Sequence, residues 1–265
     1  MNKNEKIMSK NIINSIYKWY ILITFFLLCT FLTTYNLIVT LFLSERISRR
    51  VWFRSSRVLC KVVFKLGDIN IHVEGFEHVP SETAIFAADH RSLTDSLVML
   101  VLMKRYFFTL TAPLEYFPWL YFRMWIRRMG FISIFRYKID ESKFKKSVIK
   151  SQAVFETIKR IKEKDSMIIY PEGHHEKKHK LARFHTGAVR FALNAKVPII
   201  PVAIIGSDVI ISKVKHKLHS GTVHVKFGRP IYYDEYFGKE KDHKLIRKLT
   251  SDLRKQVNYL MHHKI

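Results

Sequence analysis

The 265-residue chain predicts an α/β fold: a single domain with a mixed sheet covered by helices, preceded by an N-terminal membrane-anchoring helical segment. Three observations lead there. Short apolar runs rich in Val, Ile and Phe alternate with longer helical patterns, a long charge-free run lies near the start, and no internal repeat breaks the pattern. A chain of this length can build a core without disulfides. Its two cysteines, Cys29 and Cys60, supply neither a disulfide framework nor a metal site, which fits a reducing, cytosolic setting for the globular part.

Taken in order, the first element is apolar. No charged residue occurs from Tyr20 to Ser44, about the length needed to cross a hydrocarbon core. Leu43-Ser44-Glu45-Arg46 offers no small-residue cleavage site, so the segment is expected to be retained. Thr33, Thr34, Tyr35 and Asn36 interrupt its middle, and both flanks are basic, with Lys3, Lys6, Lys10 and Lys18 before and Arg46, Arg49, Arg50, Arg54 and Arg57 after. A single span would place one basic flank on the disfavoured side, whereas two short helices folded back as a re-entrant hairpin keep both on the cytoplasmic side. The hairpin is the expectation. Glu45 to Leu66 follows as an amphipathic helix, arginines on one side and Ile47, Val51, Leu59 and Val63 on the other, lying against the membrane or the domain.

Residues 1–66 thus form the anchor and amphipathic helix, and 67–265 the α/β domain. Strands are expected at Ile69–Val73, Ala84–Ala88, Phe107–Thr111, Phe131–Phe135, Met167–Tyr170, Ile199–Ile205 and Thr222–Phe227. Helices are expected at Ser92–Lys104, Tyr116–Met129, Lys143–Lys164, Arg183–Ala195 and Lys241–Met261. In such folds reactive side chains gather where strands end. His90, Arg136 and Glu172 each follow a strand in this way.

A formal net charge of +24, spread over nearly the whole chain, calls for an anionic partner. Nucleic acid and an anionic membrane surface both qualify. With an apolar anchor present and no zinc-finger spacing, ribonucleoprotein motif or Gly-rich loop, membrane phospholipids are the expected partner and nucleic acid is not.

In Asp89-His90-Arg91-Ser92-Leu93-Thr94-Asp95 the spacing supports two readings. One is a general base with the carboxylate that orients it, able to deprotonate an alcohol near neutral pH. The other is a capped helix start, with Ser92 accepting from the first turn and Asp95 set where a negative charge suits the helix N-terminus. Arg136 closes Gly130-Phe131-Ile132-Ser133-Ile134-Phe135-Arg136, where it is either a phosphate fork or a solvated strand-end arginine. Tyr170-Pro171-Glu172-Gly173 is a turn exposing a carboxylate. His174, His175, His179 and His185 lie among Lys177, Lys178, Lys180 and Arg183, whose charge opposes a divalent ion; the stretch reads as a basic loop near an anionic ligand, with no metal expected.

The order of these blocks, His90 with Asp95, Gly130 to Arg136, Pro171-Glu172-Gly173 and Val197-Pro198-Ile199-Ile200-Pro201-Val202, resembles the signature of the glycerophospholipid acyltransferase superfamily from about residue 70 to 230. That resemblance implies transfer of a fatty acyl group from acyl-CoA or acyl carrier protein to a lysophospholipid or glycerol-phosphate hydroxyl. It implies His90 as general base and Asp95 as its orienting partner. Arg136 would hold the acceptor phosphate, and Glu172 with Gly173 would position the acceptor. Direct attack of the alcohol on the thioester requires no metal, no cofactor and no acyl-enzyme. Backbone N–H groups at the Ser92 helix start are candidate oxyanion donors on geometric grounds.

This sequence departs from the family pattern at Asp89, where asparagine is usual, at His174-His175 in place of Thr-Arg, at Phe184-His185 in place of Phe-Lys, and at Thr111-Ala112-Pro113, which lacks a lysine. The three later changes remove fixed positive charge from the expected phosphate site, leaving Arg136, with Arg91, Ser92, His175 and His185 as further substrate-binding candidates. Acylation of lysophosphatidic acid to phosphatidic acid is the leading expectation. Acylation of another lysolipid, and a non-catalytic membrane-binding module, are the alternatives.

Overall fold

In the computed structural model, which describes residues 3–111, 120–133, 143–173, 181–210 and 219–263, the charge-free run belongs to one continuous helix, α1 (Lys3–Thr40). This corrects the expected re-entrant break. Thr33 and Asn36, three residues apart and so on one side of the helix, are buried and bond outward to other helices. Trp125 Nε1 donates to Thr33 Oγ1 at 2.9 Å, and Ser55 Oγ donates to Asn36 Oδ1 at 2.9 Å. Thr33 Oγ1 and Asn36 Oδ1, held by neighbours, do not compete for the α1 backbone, so the helix runs through them, although Asn36 Nδ2 is buried with no partner among the described residues. The window Ile23–Thr40 is long and apolar enough to cross a membrane by length and composition, and it is the one such helix among the described residues. Phe26, Phe31, Ile38 and Phe42 are exposed along and just beyond it.

The chain reverses at 41–44 into α2 (Glu45–Leu66), which packs back along α1. Its buried side differs from the expected one. Trp52, Phe53, Ser55, Ser56, Leu59 and Phe64 are buried, whereas Ile47 is exposed and Val51 and Val63 are only half-buried. Two small serines on the inner face admit the close approach of α1 and conceal that face from a count of apolar residues. Trp52 meets Trp125 edge to face at 5.3 Å between ring centroids, and Phe53 meets Phe107 likewise at 5.0 Å. Through these rings α2 shares the hydrophobic core of the sheet.

Among the described residues the sheet has seven strands in the order β1-β7-β6-β2-β5-β3-β4. They are β1 (Ile69–Glu74), β2 (Ile85–Ala88), β3 (Phe107–Thr111), β4 (Ile132–Ser133), β5 (Ser166–Ile169), β6 (Ile199–Ile205) and β7 (Gly221–Phe227). All neighbours are parallel except β6 and β7, so the sheet is mixed as expected. Ile85, Phe86, Ala87 and Ala88 are all fully buried. A strand with no exposed alternate residue is covered on both faces, which explains why it reads as a continuous apolar run.

The remaining helices are α3 (Thr94–Leu102), α4 (Leu120–Arg128), α5 (Lys143–Lys162), α6 (Gly187–Ala195), α7 (Ser207–Ile210) and α8 (His243–His262). One group joins α2 to α3 and α4; another joins α6 to α5 and α8, with α6 and α8 also packing on β6. Asp242 caps α8, its Oδ1 accepting from the amides of Lys244 and Leu245 at 2.9 and 3.0 Å. The core is thus layered about β2, β5 and β6, and their carboxyl ends carry the site.

Candidate active site

His90 lies just past the carboxyl end of β2, between the ends of its two neighbours β5 and β6. Its Nδ1 stands 2.9 Å from Asp95 Oδ2, and Asp95 is 0% exposed. An ionised carboxylate at that distance requires the Nδ1 proton, which makes Nε2 the ring nitrogen that can act as a base. The imidazole also stacks on the Tyr170 ring, centroids 4.0 Å apart and planes 19° apart, and the Tyr170 hydroxyl pairs with Ser96 Oγ at 3.0 Å. Tyr170, which sequence reasoning treated only as the start of a turn, is therefore a second support for the base. Its position directly before Pro171-Glu172 was the available signal.

The two sequence readings of Asp95 are both satisfied. Its Oδ2 accepts from the backbone N–H of Arg91 and of Ser92, each at 2.8 Å, while also receiving His90. One oxygen thus caps the turn and orients the base. The consequence narrows the expected oxyanion donors: the Arg91 and Ser92 amides are held by Asp95, the Thr94 amide by Ser92 Oγ at 3.3 Å, and the Asp95 amide by the Ser92 carbonyl at 3.1 Å. These amides are committed to the turn itself.

Glu172, expected to position the acceptor, is 1% exposed and turns inward. Its Oε1 accepts from the His90 amide at 2.9 Å and its Oε2 from the Ala182 amide at 2.8 Å. The carboxylate ties the base-bearing turn to the segment before α6. That segment is also held by the His185 amide on the Pro171 carbonyl at 2.8 Å, which is why the helix expected from Arg183 begins only at Gly187. Gly173 closes the turn with its amide on the Tyr170 carbonyl at 3.0 Å, in a left-handed conformation (φ +72°) that favours glycine.

Ser92 is buried and bonded to Thr94 Oγ1 at 3.1 Å, so its side chain serves the turn; His185 is exposed. Arg91 Nε bonds Asp89 Oδ2 at 3.1 Å. Arg136 and His175 lie outside the described residues, as do His174 and His179.

Asp89, the departure from the usual asparagine, is buried and links two strands: its Oδ1 accepts from the Ile204 amide of β6 at 2.7 Å. Burial pushes its carboxyl up from 3.8 to about 7, opposed by the Ile204 hydrogen bond and Arg91 and assisted by the charge of Asp95. A raised carboxyl binds its proton more tightly in the folded chain than in the unfolded one. Its stabilising contribution is therefore complete below pH 3.8 and is lost as pH rises through about 7. We expect Asp89→Asn, which does not titrate, to gain stability relative to the parent chain across that window, at up to about 1.4 kcal/mol per pH unit. Parallel pH profiles of unfolding for the two chains would refute this.

Comparison with known proteins bears on the same region. A family model described as Acyltransferase matches residues 70–205. A 1-acyl-sn-glycerol-3-phosphate acyltransferase of Cocos nucifera is 26% identical over 180 residues, covering 65% of this chain and 53% of that protein. A chloroplastic enzyme of the same name from Brassica napus is 25% identical over 167 residues, covering 60% and 44%. The chain spans about half the length of these curated relatives. Among solved structures, the 1-acyl-sn-glycerophosphate acyltransferase PlsC of Thermotoga maritima shares the fold, with a TM-score of 0.69 at 21% identity, covering 96% of this chain and 98% of that one. The matched stretch includes β2 with His90 and Asp95, β5 with Glu172, and β6 with the amide that Asp89 holds. The chain belongs to the acyltransferase family.

Proposed function

We propose that the chain is a membrane-bound O-acyltransferase that moves a fatty acyl group from acyl-CoA or acyl carrier protein to the hydroxyl of lysophosphatidic acid, giving phosphatidic acid. The observation that carries this reading is the His90 Nδ1 to Asp95 Oδ2 bond of 2.9 Å at the carboxyl end of β2. His90 Nε2 takes the proton of the acceptor hydroxyl as its oxygen attacks the thioester carbonyl. The tetrahedral oxyanion then collapses, the C–S bond breaks, and the imidazolium returns the proton to the departing thiolate. Asp95 keeps the base in one tautomer and stabilises the imidazolium while it exists.

We assign the acceptor phosphate to Arg136, with Arg91, Ser92, His175 and His185 as further substrate-binding candidates. The names carried by both curated relatives support lysophosphatidic acid as the acceptor. No cofactor or metal takes part in this route. The exposed apolar residues of α1 support attachment to membrane phospholipids, with the residues after α1 on the cytoplasmic side. Replacement of the family's Thr-Arg by His174-His175 favours a second reading, the same chemistry on a different lysolipid.

A panel of lysolipid acceptors assayed with radiolabelled acyl-CoA separates the two. Turnover of lysophosphatidic acid above the other acceptors is expected. Strong turnover of a zwitterionic or sugar-bearing lysolipid, with none of lysophosphatidic acid, would overturn the first reading.

A further inference from the structure

The edge of the sheet carries a side-chain cluster that the acyl-transfer site does not use. β1 and β7 pair in parallel with His72 opposite His224 and Glu74 opposite Lys226. Alternate residues of a strand share a face, so His72, Glu74 and His224 stand together on one side of this two-strand edge. His72 and His224 are exposed and Glu74 is half-buried. The two imidazole rings are 5.4 Å apart at 64°, neither stacked nor parallel. One ligand atom from each of the three residues lies within 4.8 Å of the others.

We propose that His72, Glu74 and His224 bind a zinc ion. Zinc takes imidazole nitrogen and carboxylate oxygen at about 2.0–2.2 Å in a tetrahedral array, which sets neighbouring donors about 3.3 Å apart. Two imidazoles and a carboxylate suit zinc, whereas magnesium and calcium favour all-oxygen sets. Three protein ligands leave the fourth position to water. Lys226, opposite Glu74 in register, directs its Nζ to the His263 carbonyl at 2.7 Å.

The site is structural in its placement. Among the described residues β1 is an edge strand bonded only to β7, and β7 and β6 separate it from β2, whose end carries His90. Zinc would fasten the first strand of the α/β domain to the last, closing a long loop by a bond that the unfolded chain lacks. The histidine-rich stretch of residues 174–185 is a different region of the chain.

The test uses the full chain in detergent, stripped with a chelator and titrated with zinc while heat flow and thermal unfolding are followed. At zinc a hundredfold above its Kd, the unfolding midpoint is expected to rise by about 5 °C. His72→Gln and His224→Gln, at exposed positions, should keep the metal-free midpoint, lose the shift and weaken zinc binding at least about tenfold. Glu74→Gln provides a third variant. Cobalt substitution should give the visible absorption of a four-coordinate site in the parent chain and lose it in the histidine variants. Replacing His174, His175, His179 and His185 together should leave the shift intact. A zinc-independent midpoint in the parent chain, a shift that survives either histidine variant, or a shift lost with the four loop histidines would each overturn the proposal.

Discussion

His90→Ala is expected to lower acyl transfer at least about a hundredfold, the low end of what removing a general base costs. Binding of acceptor and donor should change little, so the loss should appear in kcat. The fold should survive. Asp95 Oδ2 still holds the Arg91 and Ser92 amides once the imidazole is gone, and Glu172 still holds the backbone amide at position 90. The Asp95 hydrogen bond, of about 1 kcal/mol, is removed, together with the ring contact to Tyr170. The unfolding midpoint should therefore fall by only about 2–4 °C for a chain of this size. Turnover within tenfold of the parent, in a variant that unfolds normally, would remove His90 from the role of base and revive the non-catalytic membrane module.

The second large effect is expected at Glu172, and there the kinetic parameter that changes decides between two roles. Both carboxylate oxygens accept from backbone amides, those of His90 and Ala182. Glu172→Gln keeps the volume but turns an NH2 group towards one of these N–H donors, leaving a buried donor without an acceptor. That costs about 1–3 kcal/mol of stability. The turn bearing His90 shifts with it, and a displacement of about 1 Å at a reacting group can cost about a hundredfold in rate. We expect kcat to fall at least about tenfold with the acceptor KM nearly unchanged. A raised KM with unaltered kcat would instead place Glu172 against the acceptor, as the family resemblance implied.

Much of the fold was legible because its signals are local. The run Ile85 to Ala88 is apolar at every position, and that continuity marks a strand covered on both faces. His90 and Asp95 are close in sequence, so their pairing could be proposed from spacing alone. Glu172 was singled out in the sequence with the acceptor as its expected partner, whereas in the structure both of its oxygens hold backbone amides. Its contacts with the His90 and Ala182 amides join segments distant in the chain, and backbone donors leave no mark in a sequence. The same limit explains α1 and α2. Thr33 and Asn36 read as a break because their partners, Trp125 and Ser55, are supplied by other helices. Tyr170 was passed over because a ring contact with an imidazole depends on two strand ends meeting, which β2 and β5 achieve only in the folded sheet.

The carboxylates around the base have a consequence for how charge is distributed with depth. The chain carries 46 lysines and arginines against 22 acidic residues, yet Asp95 and Glu172, the two carboxylates that bond His90, are each no more than 1% exposed. The outer field is positive and the floor of the site is negative. An anionic donor or acceptor is drawn towards the surface from a distance, while the positive imidazolium formed during transfer meets a favourable potential only at the bottom. Capture and proton transfer thus use opposite signs at different depths. Raising ionic strength should therefore weaken substrate encounter, which works through screened exterior charge, much more than the proton-transfer step, which works through buried charge.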